Sequence, residues 1–384
     1  MSRIGVFTAT RAEYGLLAPV LDALERSAAL EPVLIVSGAH LSFRHGETVH
    51  EIEADGRTIA ARLTLPMTDD TPVAIAADMG TLTASAARAY ADLKLDAVLI
   101  LGDRTEALAA AAAAVPLALP ILHLEGGHVT EGAVDDGVRH ALTKLGALHF
   151  TAAEPYRRRL LQLGEAPDRV FTVGSTALDR LRGLPPLSLA DLSADLDADL
   201  TGGFLLATFH PETLSRTAPA AQVEAFLSGV ERSGRRVLFT LPNADAGSDA
   251  VRAAVEAFVA ARPDRAFARA SLGARRYMQA MRLCDAVIGN SSSGVIEAPA
   301  LKAPSVNVGD RQKGRLRPPG VVDCPAEADA VAAAIERAAD PAFRAALSDA
   351  PAPFGDGHAA DRIVEVLERT DFAALLPKPF VDQA

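Results

Sequence analysis

The chain has 384 residues, enough for two ordinary domains, and a hydrophobic content of 49% lets each bury a core. A net charge of −11 excludes the broad basic surface that a nucleic-acid partner requires, and the lack of tryptophan argues against a stacking platform for single strands. Cys284 and Cys324, the only cysteines, supply no disulfide framework, zinc spacing or redox pair, as expected in a reducing cytoplasm.

Met1-Ser2-Arg3 leads straight into an apolar run at 4–7 that is too brief for a signal sequence. Strands follow at 32–36, 97–101, 121–124, 148–150 and 170–173, separated by helical patterns at 15–27, 74–93, 105–114, 137–145 and 155–163. The apolar stretch 107–122 is broken by Pro116 and Pro120, so it reads as a buried helix and a strand, and no membrane span is expected. Leu184-Pro185-Pro186 and the acidic run 191–199 suit a linker or an edge helix. A second alternating block then has strands at 204–209, 236–240, 265–267, 286–288 and 305–308, with helices at 222–233, 250–261 and 277–283. Amphipathic helices at 326–339 and 358–369 close it. Near-continuous apolar strands alternating with helices imply parallel sheets. The expected fold is α/β, with two Rossmann-like domains, 1–183 and 184–384, facing a cleft.

Polar clusters follow the strands, where open α/β sheets place their sites. After the first strand, Thr8-Ala9-Thr10-Arg11-Ala12-Glu13-Tyr14-Gly15 lacks a dinucleotide fingerprint. Arg11 either grips a phosphate at a helix N-terminus or pairs with Glu13. In Gly102-Asp103-Arg104, Asp103 caps the next helix, or the Asp–Arg pair orients a substrate. His123-Leu124-Glu125-Gly126-Gly127, followed by Asp135-Asp136 and Arg139-His140, crowds carboxylates at a strand end in a way suited to proton transfer. Asp135 also suits a helix N-cap. His210, before Pro211, ends a strand as a proton donor near neutral pH. The stretch with Asn243 and Asp245 is a turn first and a polar ligand loop second. Gly289-Asn290-Ser291-Ser292-Ser293-Gly294 suits a diphosphate cradle, with Glu297 toward a ribose; the plainer reading is a capped Ser/Gly turn. Arg311 belongs to a basic stretch that suits phosphate or base contacts. No histidines and acids are spaced as metal ligands, so no metal is expected.

Taken in order, these motifs resemble the UDP-N-acetylglucosamine 2-epimerase family. The matching stretches are Thr10-Arg11-Ala12-Glu13-Tyr14-Gly15-Leu16-Leu17, Leu101-Gly102-Asp103-Arg104, Glu125-Gly126-Gly127, Asp135-Asp136-Gly137-Val138-Arg139-His140, Phe209-His210-Pro211-Glu212-Thr213, the Gly289 to Gly294 loop and Gly309-Asp310-Arg311-Gln312-Lys313. Glu125-Gly126-Gly127-His128 stands where the non-hydrolysing branch carries a Glu-Ala-Gly-Leu-Arg type loop, so the resemblance is closer to the hydrolysing branch.

The resemblance implies a GT-B-type arrangement, with the nucleotide held mainly by the second domain and the chemistry performed mainly by the first. It also implies a UDP-linked amino sugar as substrate, no cofactor, and a homodimer or homotetramer. The family reaction removes the C2 proton and expels UDP from C1, and water then adds to the glycal with inversion at C2. UDP-N-acetylglucosamine is the expected substrate. UDP-2,4-diacetamido-2,4,6-trideoxyglucose, a legionaminic acid precursor, and a GDP-sugar are the alternatives, and a GT-B glycosyltransferase is the rival class. By the same resemblance Glu125, Asp135 and Asp136 are acid and base candidates, joined by Asp103. His210, Arg11, Ser291, Ser292 and Ser293 face the diphosphate. Arg104, Arg139, His140, Asn243, Asp245, Glu297 and Arg311 are further substrate contacts.

Overall fold

The computed structural model describes residues 1–43, 46–68, 71–130, 135–182, 185, 187–212, 217–242 and 247–382. Asn243 and Asp245 lie outside the described residues. The chain divides into two compact units. One comprises Met1–His128, Val134–Asp179 and Gly355–Ala384; the other comprises Val129–Ala133 and Arg180–Phe354.

The first unit is built on seven parallel strands: β1 (Ser2–Thr8), β2 (Leu30–Ser37), β3 (Ile59–Leu63), β4 (Ala97–Leu101), β5 (Ile121–Leu124), β6 (Leu148–Thr151) and β7 (Val170–Thr172). Their order is β3-β2-β1-β4-β5-β6-β7, so the winding reverses between β1 and β4. That reversal splays the following loops apart and opens a crevice at the strand C-termini. Strand β4 shows why its sequence reads as continuously apolar. Ala97, Leu99 and Leu101 enter one core layer, while Val98 and Ile100 enter the other. On the second face, the alanine-rich helix Thr105–Ala114 packs within the chain against the helix Pro72–Leu93, close enough for Tyr90 Oη to donate to Ala110 O at 3.3 Å.

The second unit has six parallel strands: β8 (Leu205–Thr208), β9 (Val237–Thr240), β10 (Ala266–Arg269), β11 (Ala286–Gly289), β12 (Ser305–Val308) and β13 (Val321–Cys324). The order β10-β9-β8-β11-β12-β13 repeats the same reversal, now between β8 and β11. The acidic stretch forms an edge helix, Leu189–Leu196, which buries Leu192 and Leu196 and is capped by Ser188, whose hydroxyl accepts the Asp191 N–H at 3.1 Å. The edge strands β3 and β13 were absent from the sequence reading. Strand β3 alternates exposed and half-buried residues, and β13 is four residues long and buries one of them, so neither makes a continuous apolar run.

Sequence patterning put 184–384 in one domain, yet Gly355–Ala384 belongs to the first unit. The helix Ala359–Glu368 buries Ala359, Ala360, Ile363, Val364 and Leu367 in the core that the helix Arg11–Arg26 also enters. Asp179 accepts its first N–H groups, from Ala359 at 3.2 Å and Ala360 at 3.3 Å. An amphipathic face shows that a helix must pack, not against which sheet. Ile363 is fully buried there. Ile363→Ala is expected to destabilise the first unit by about 3 kcal/mol in urea unfolding; an unchanged midpoint would contradict this packing.

Candidate functional site

In the first unit the polar residues gather at the C-terminal ends of β4 and β5. Glu125 follows β5 directly and continues the ladder, its N–H donating to Phe150 O at 2.9 Å. Its backbone then turns left-handed, with φ of 62°, a conformation that costs a non-glycine residue roughly 1–3 kcal/mol and concentrates at functional sites. Gly127 follows because the chain presses on its neighbour. A Cβ there would lie 2.5 Å from Tyr156 O. The turn brings His128 back over Glu125, with Nε2 2.8 Å from Glu125 Oε2, while Ser175 Oγ donates to Oε1 at 3.1 Å. His128 lies against Tyr156, with ring centroids 4.0 Å apart.

Asp135 and Asp136 occupy the first turn of the helix Asp135–Leu145, where the N-terminal dipole favours negative charge. The helix begins at Asp135, which is exposed, so the expected start at 137 moves up by two residues. Arg139, one turn on, is buried. Its guanidinium pairs with Asp103, reaches Asp136 Oδ1 at 3.0 Å, and donates to the His128 carbonyl at 3.0 Å. His140 Nε2 stands 3.4 Å from the other Asp136 oxygen. Asp103, Glu125, Asp136, Arg139 and His140 are therefore one cluster, with His128 as its unpredicted member.

Four expectations change here. Asp103 does not cap the helix Thr105–Ala114, whose N-cap is Arg104 without a side-chain cap, because its carboxylate turns to Arg139. Arg139 is held among carboxylates, so it organises the cluster from beneath. Arg104 pairs with Glu106 at 3.3 Å. Arg11 is exposed at the start of its helix and is not paired with Glu13. Glu13 instead closes a capping box, accepting the Ala9 N–H at 2.7 Å and the Thr10 N–H at 3.1 Å.

In the second unit Asn290 is fully buried after β11. Its side-chain oxygen accepts the His210 N–H at 2.7 Å and its amide donates to the His210 carbonyl at 2.8 Å, so one amide fixes the backbone of the loop after β8. Gly289 permits this approach, since with φ of 124° any Cβ would collide with Thr208 O. Gln312 Nε2 and Arg311 Nη1 donate to Asn290 O at 2.8 and 3.2 Å. Glu212 Oε1 accepts the N–H groups of Asp310 and Arg311 at 3.0 and 3.2 Å. His210, Asn290 and Arg311 thus share one lock. A cavity of about 640 Å³ adjoins it, lined by Glu212, Gln222, Gly309, Asp310, Lys313 and Arg317 among others.

Ser291, Ser292 and Ser293 form a tight turn, and Ser293 Oγ lies 2.6 Å from Tyr277 Oη and 3.0 Å from Ser291 Oγ. The helix expected behind them is only Glu297–Ala300. Any anion held here therefore relies on local N–H and hydroxyl groups more than on a long helix dipole. His210 also departs from expectation. Burial, aided by the Arg311 charge, pushes its imidazole down to about 3, so it is neutral at pH 7 and offers a hydrogen bond in place of a cationic proton.

Sequence reasoning missed His128, Tyr277 and Gln312, which acquire meaning only through partners distant in sequence or a turn that folds back. It also passed over the charge state of Glu13. Burial raises this carboxyl from 4.5 to about 7 against the opposing pull of Arg104. The folded form therefore holds its proton longer than the unfolded chain does. The associated stability is complete below pH 4.5 and is lost as pH rises through 7. Between those limits the wild type should lose about 3 kcal/mol relative to Glu13→Gln. Denaturant unfolding of both proteins at pH 5 and pH 8 checks this, and parallel pH dependences would contradict it.

Comparison with known proteins agrees with the motif order. The family model described as UDP-N-acetylglucosamine 2-epimerase matches residues 22–368. A Campylobacter jejuni GDP/UDP-N,N'-diacetylbacillosamine 2-epimerase (hydrolyzing) is 35% identical over 84% of this chain and 84% of its own length. Polysialic acid biosynthesis protein P7 of Escherichia coli is 32% identical over 100% of this chain and 97% of its own. A Legionella pneumophila UDP-N,N'-diacetylbacillosamine 2-epimerase (hydrolyzing) is 30% identical over 94% of this chain. Among solved structures, the S. aureus MnaA–UDP co-structure superposes with a TM-score of 0.80 at 19% identity, covering all of both chains. The Neisseria meningitidis UDP-GlcNAc 2-epimerase bound to UDP-GlcNAc gives 0.79 at 18%, covering 96% of this chain and 100% of its own. With the family model spanning nearly the whole chain and relatives above 30% identity along most of it, this protein belongs to the UDP-N-acetylglucosamine 2-epimerase family.

Proposed function

We propose that the protein is a hydrolysing 2-epimerase that converts a UDP-linked 2-acetamido sugar and water into UDP and the free C2-inverted sugar. The observation that carries this reading is the carboxylate cluster that Arg139 organises at the ends of β4 and β5. In the first step a carboxylate takes the C2 proton while the electron pair forms the C1=C2 bond and the C1–O bond to UDP breaks. In the second, water adds its oxygen to C1 and a proton returns to C2 from the opposite face. Such chemistry needs fixed carboxylates on both sides of one carbon and stabilisation of a departing diphosphate. Glu125, Asp136 and Asp103 supply the first requirement. In the second unit, His210, Arg311 and the Ser291 to Ser293 turn are the groups suited to the second. A diphosphate beside His210 would itself favour the protonated ring, so leaving-group charge and imidazole charge rise together.

For the sugar, the names of the Campylobacter and Legionella relatives favour N,N'-diacetylbacillosamine, the 2,4-diacetamido-2,4,6-trideoxyglucose skeleton. UDP-N-acetylglucosamine, the substrate expected from the sequence and the one in the description of the matching family model, is the second reading. Proton NMR in deuterium oxide with each UDP-sugar, without an acceptor, tests both. The expected result is UDP together with a free sugar deuterated at C2 from one of the two. UDP release only when an acceptor is added would replace this reading with glycosyl transfer. Asp136→Asn should lower turnover by at least about a hundredfold while leaving UDP affinity unchanged, as read by steady-state kinetics and calorimetry.

A further inference from the structure

The last residues of the chain return to the far end of the helix that carries Asp136 and Arg139. Lys378 Nζ donates to Thr143 O at 3.1 Å and to Lys144 O at 2.9 Å, among the final carbonyls of the helix Asp135–Leu145. The same ammonium stands 2.5 Å from Glu165 Oε2. Glu165 is buried and also takes Lys144 Nζ at 2.7 Å and His149 Nε2 at 2.9 Å. The tail is held from both sides. Arg169 Nη1 donates to Leu375 O at 2.7 Å, and Lys144 Nζ lies 5.6 Å from the centre of the Phe380 ring.

The helix end so gripped is tied to the reacting cluster by a second route. Thr143 Oγ1 lies 3.4 Å from His123 Nδ1, and His123 Nε2 lies 3.0 Å from Gly102 O, the residue before Asp103. One side of the cluster rides on the helix, and the other hangs from the β4 loop through a buried imidazole that the helix also touches. A helix of 11 residues moves as a rod about 16 Å long, so displacement at one end is felt at the other. A cation on terminal carbonyls also suits the negative end of the helix dipole.

We propose that Lys378, which lies beyond the residues matched by the family model, is a positioning residue for the reaction. It fixes the helix Asp135–Leu145 along its axis and so sets Asp136 and Arg139 against Asp103. This rests on the 2-epimerase reading, and wild-type turnover of a UDP-sugar is the control that separates the two. If the wild type does not turn over, that reading fails; if it does, the variants judge Lys378.

The experiment compares Lys378→Met, Lys378→Gln and Lys378→Arg in kcat, KM, UDP affinity and thermal midpoint. Methionine removes the donors, glutamine keeps donors without charge, and arginine keeps both. The expected order of kcat is arginine near wild type, glutamine lower and methionine lowest, by about tenfold, with UDP affinity within about twofold throughout. If the methionine variant fails to fold, the order of glutamine and arginine decides. Wild-type kcat in the methionine or glutamine variant, or equal losses in glutamine and arginine, would overturn the proposal.

Discussion

A guanidinium sealed from water must be surrounded by charge and acceptors, and Arg139 imposes that requirement on everything around it. Its side chain is only 3% exposed. Asp103, Asp136 and the His128 carbonyl answer the requirement, and each comes from a different stretch of chain. Because an unpaired buried cation would cost several kcal/mol, the loop after β4, the turn after β5 and the first turn of the helix Asp135–Leu145 are drawn to one point. The cation gathers carboxylates that would otherwise repel one another.

The scaffold explains how such a point can be held still. Both sheets are parallel and wound with one reversal, so their polar loops emerge at strand C-termini while the strands stay buried on two faces. The first unit is completed by the end of the chain. The helix Ala359–Glu368 covers one face of its sheet, and the tail beyond it reaches the helix that carries Arg139. The second unit solves a different problem. Asn290 and Glu212 spend their side chains on neighbouring backbones, which locks the loops after β8, β11 and β12 together. A preorganised set of N–H and hydroxyl groups suits an anion, whereas a cluster of fixed carboxylates suits proton transfer.

Much of this was legible in the amino-acid sequence. Apolar runs located eleven of the thirteen strands among the described residues, and the polar segments behind them contained Asp103, Glu125, Asp136 and His210. Those features are local, being periodicity and chemistry within a few residues. What stayed hidden depends on distance. Arg139 reads as a ligand contact because nothing local shows that Asp103, 36 residues earlier, will claim it. His128 reads as a loop residue until Glu125 turns left-handed. The last helix reads as the close of the second domain because amphipathicity carries no address. His210 reads as a proton donor until burial is known, and burial removes its charge.

On the proposed function, Arg139 acts through the carboxylates it holds. A double-mutant cycle on kcat/KM with Arg139→Met, Asp103→Asn and the combined variant tests it most directly. If Asp103 functions only while Arg139 holds it, the combined variant should be no worse than the poorer single variant, within about twofold. Losses that multiply would mean that the two residues contribute independently and that Asp103 does not depend on Arg139.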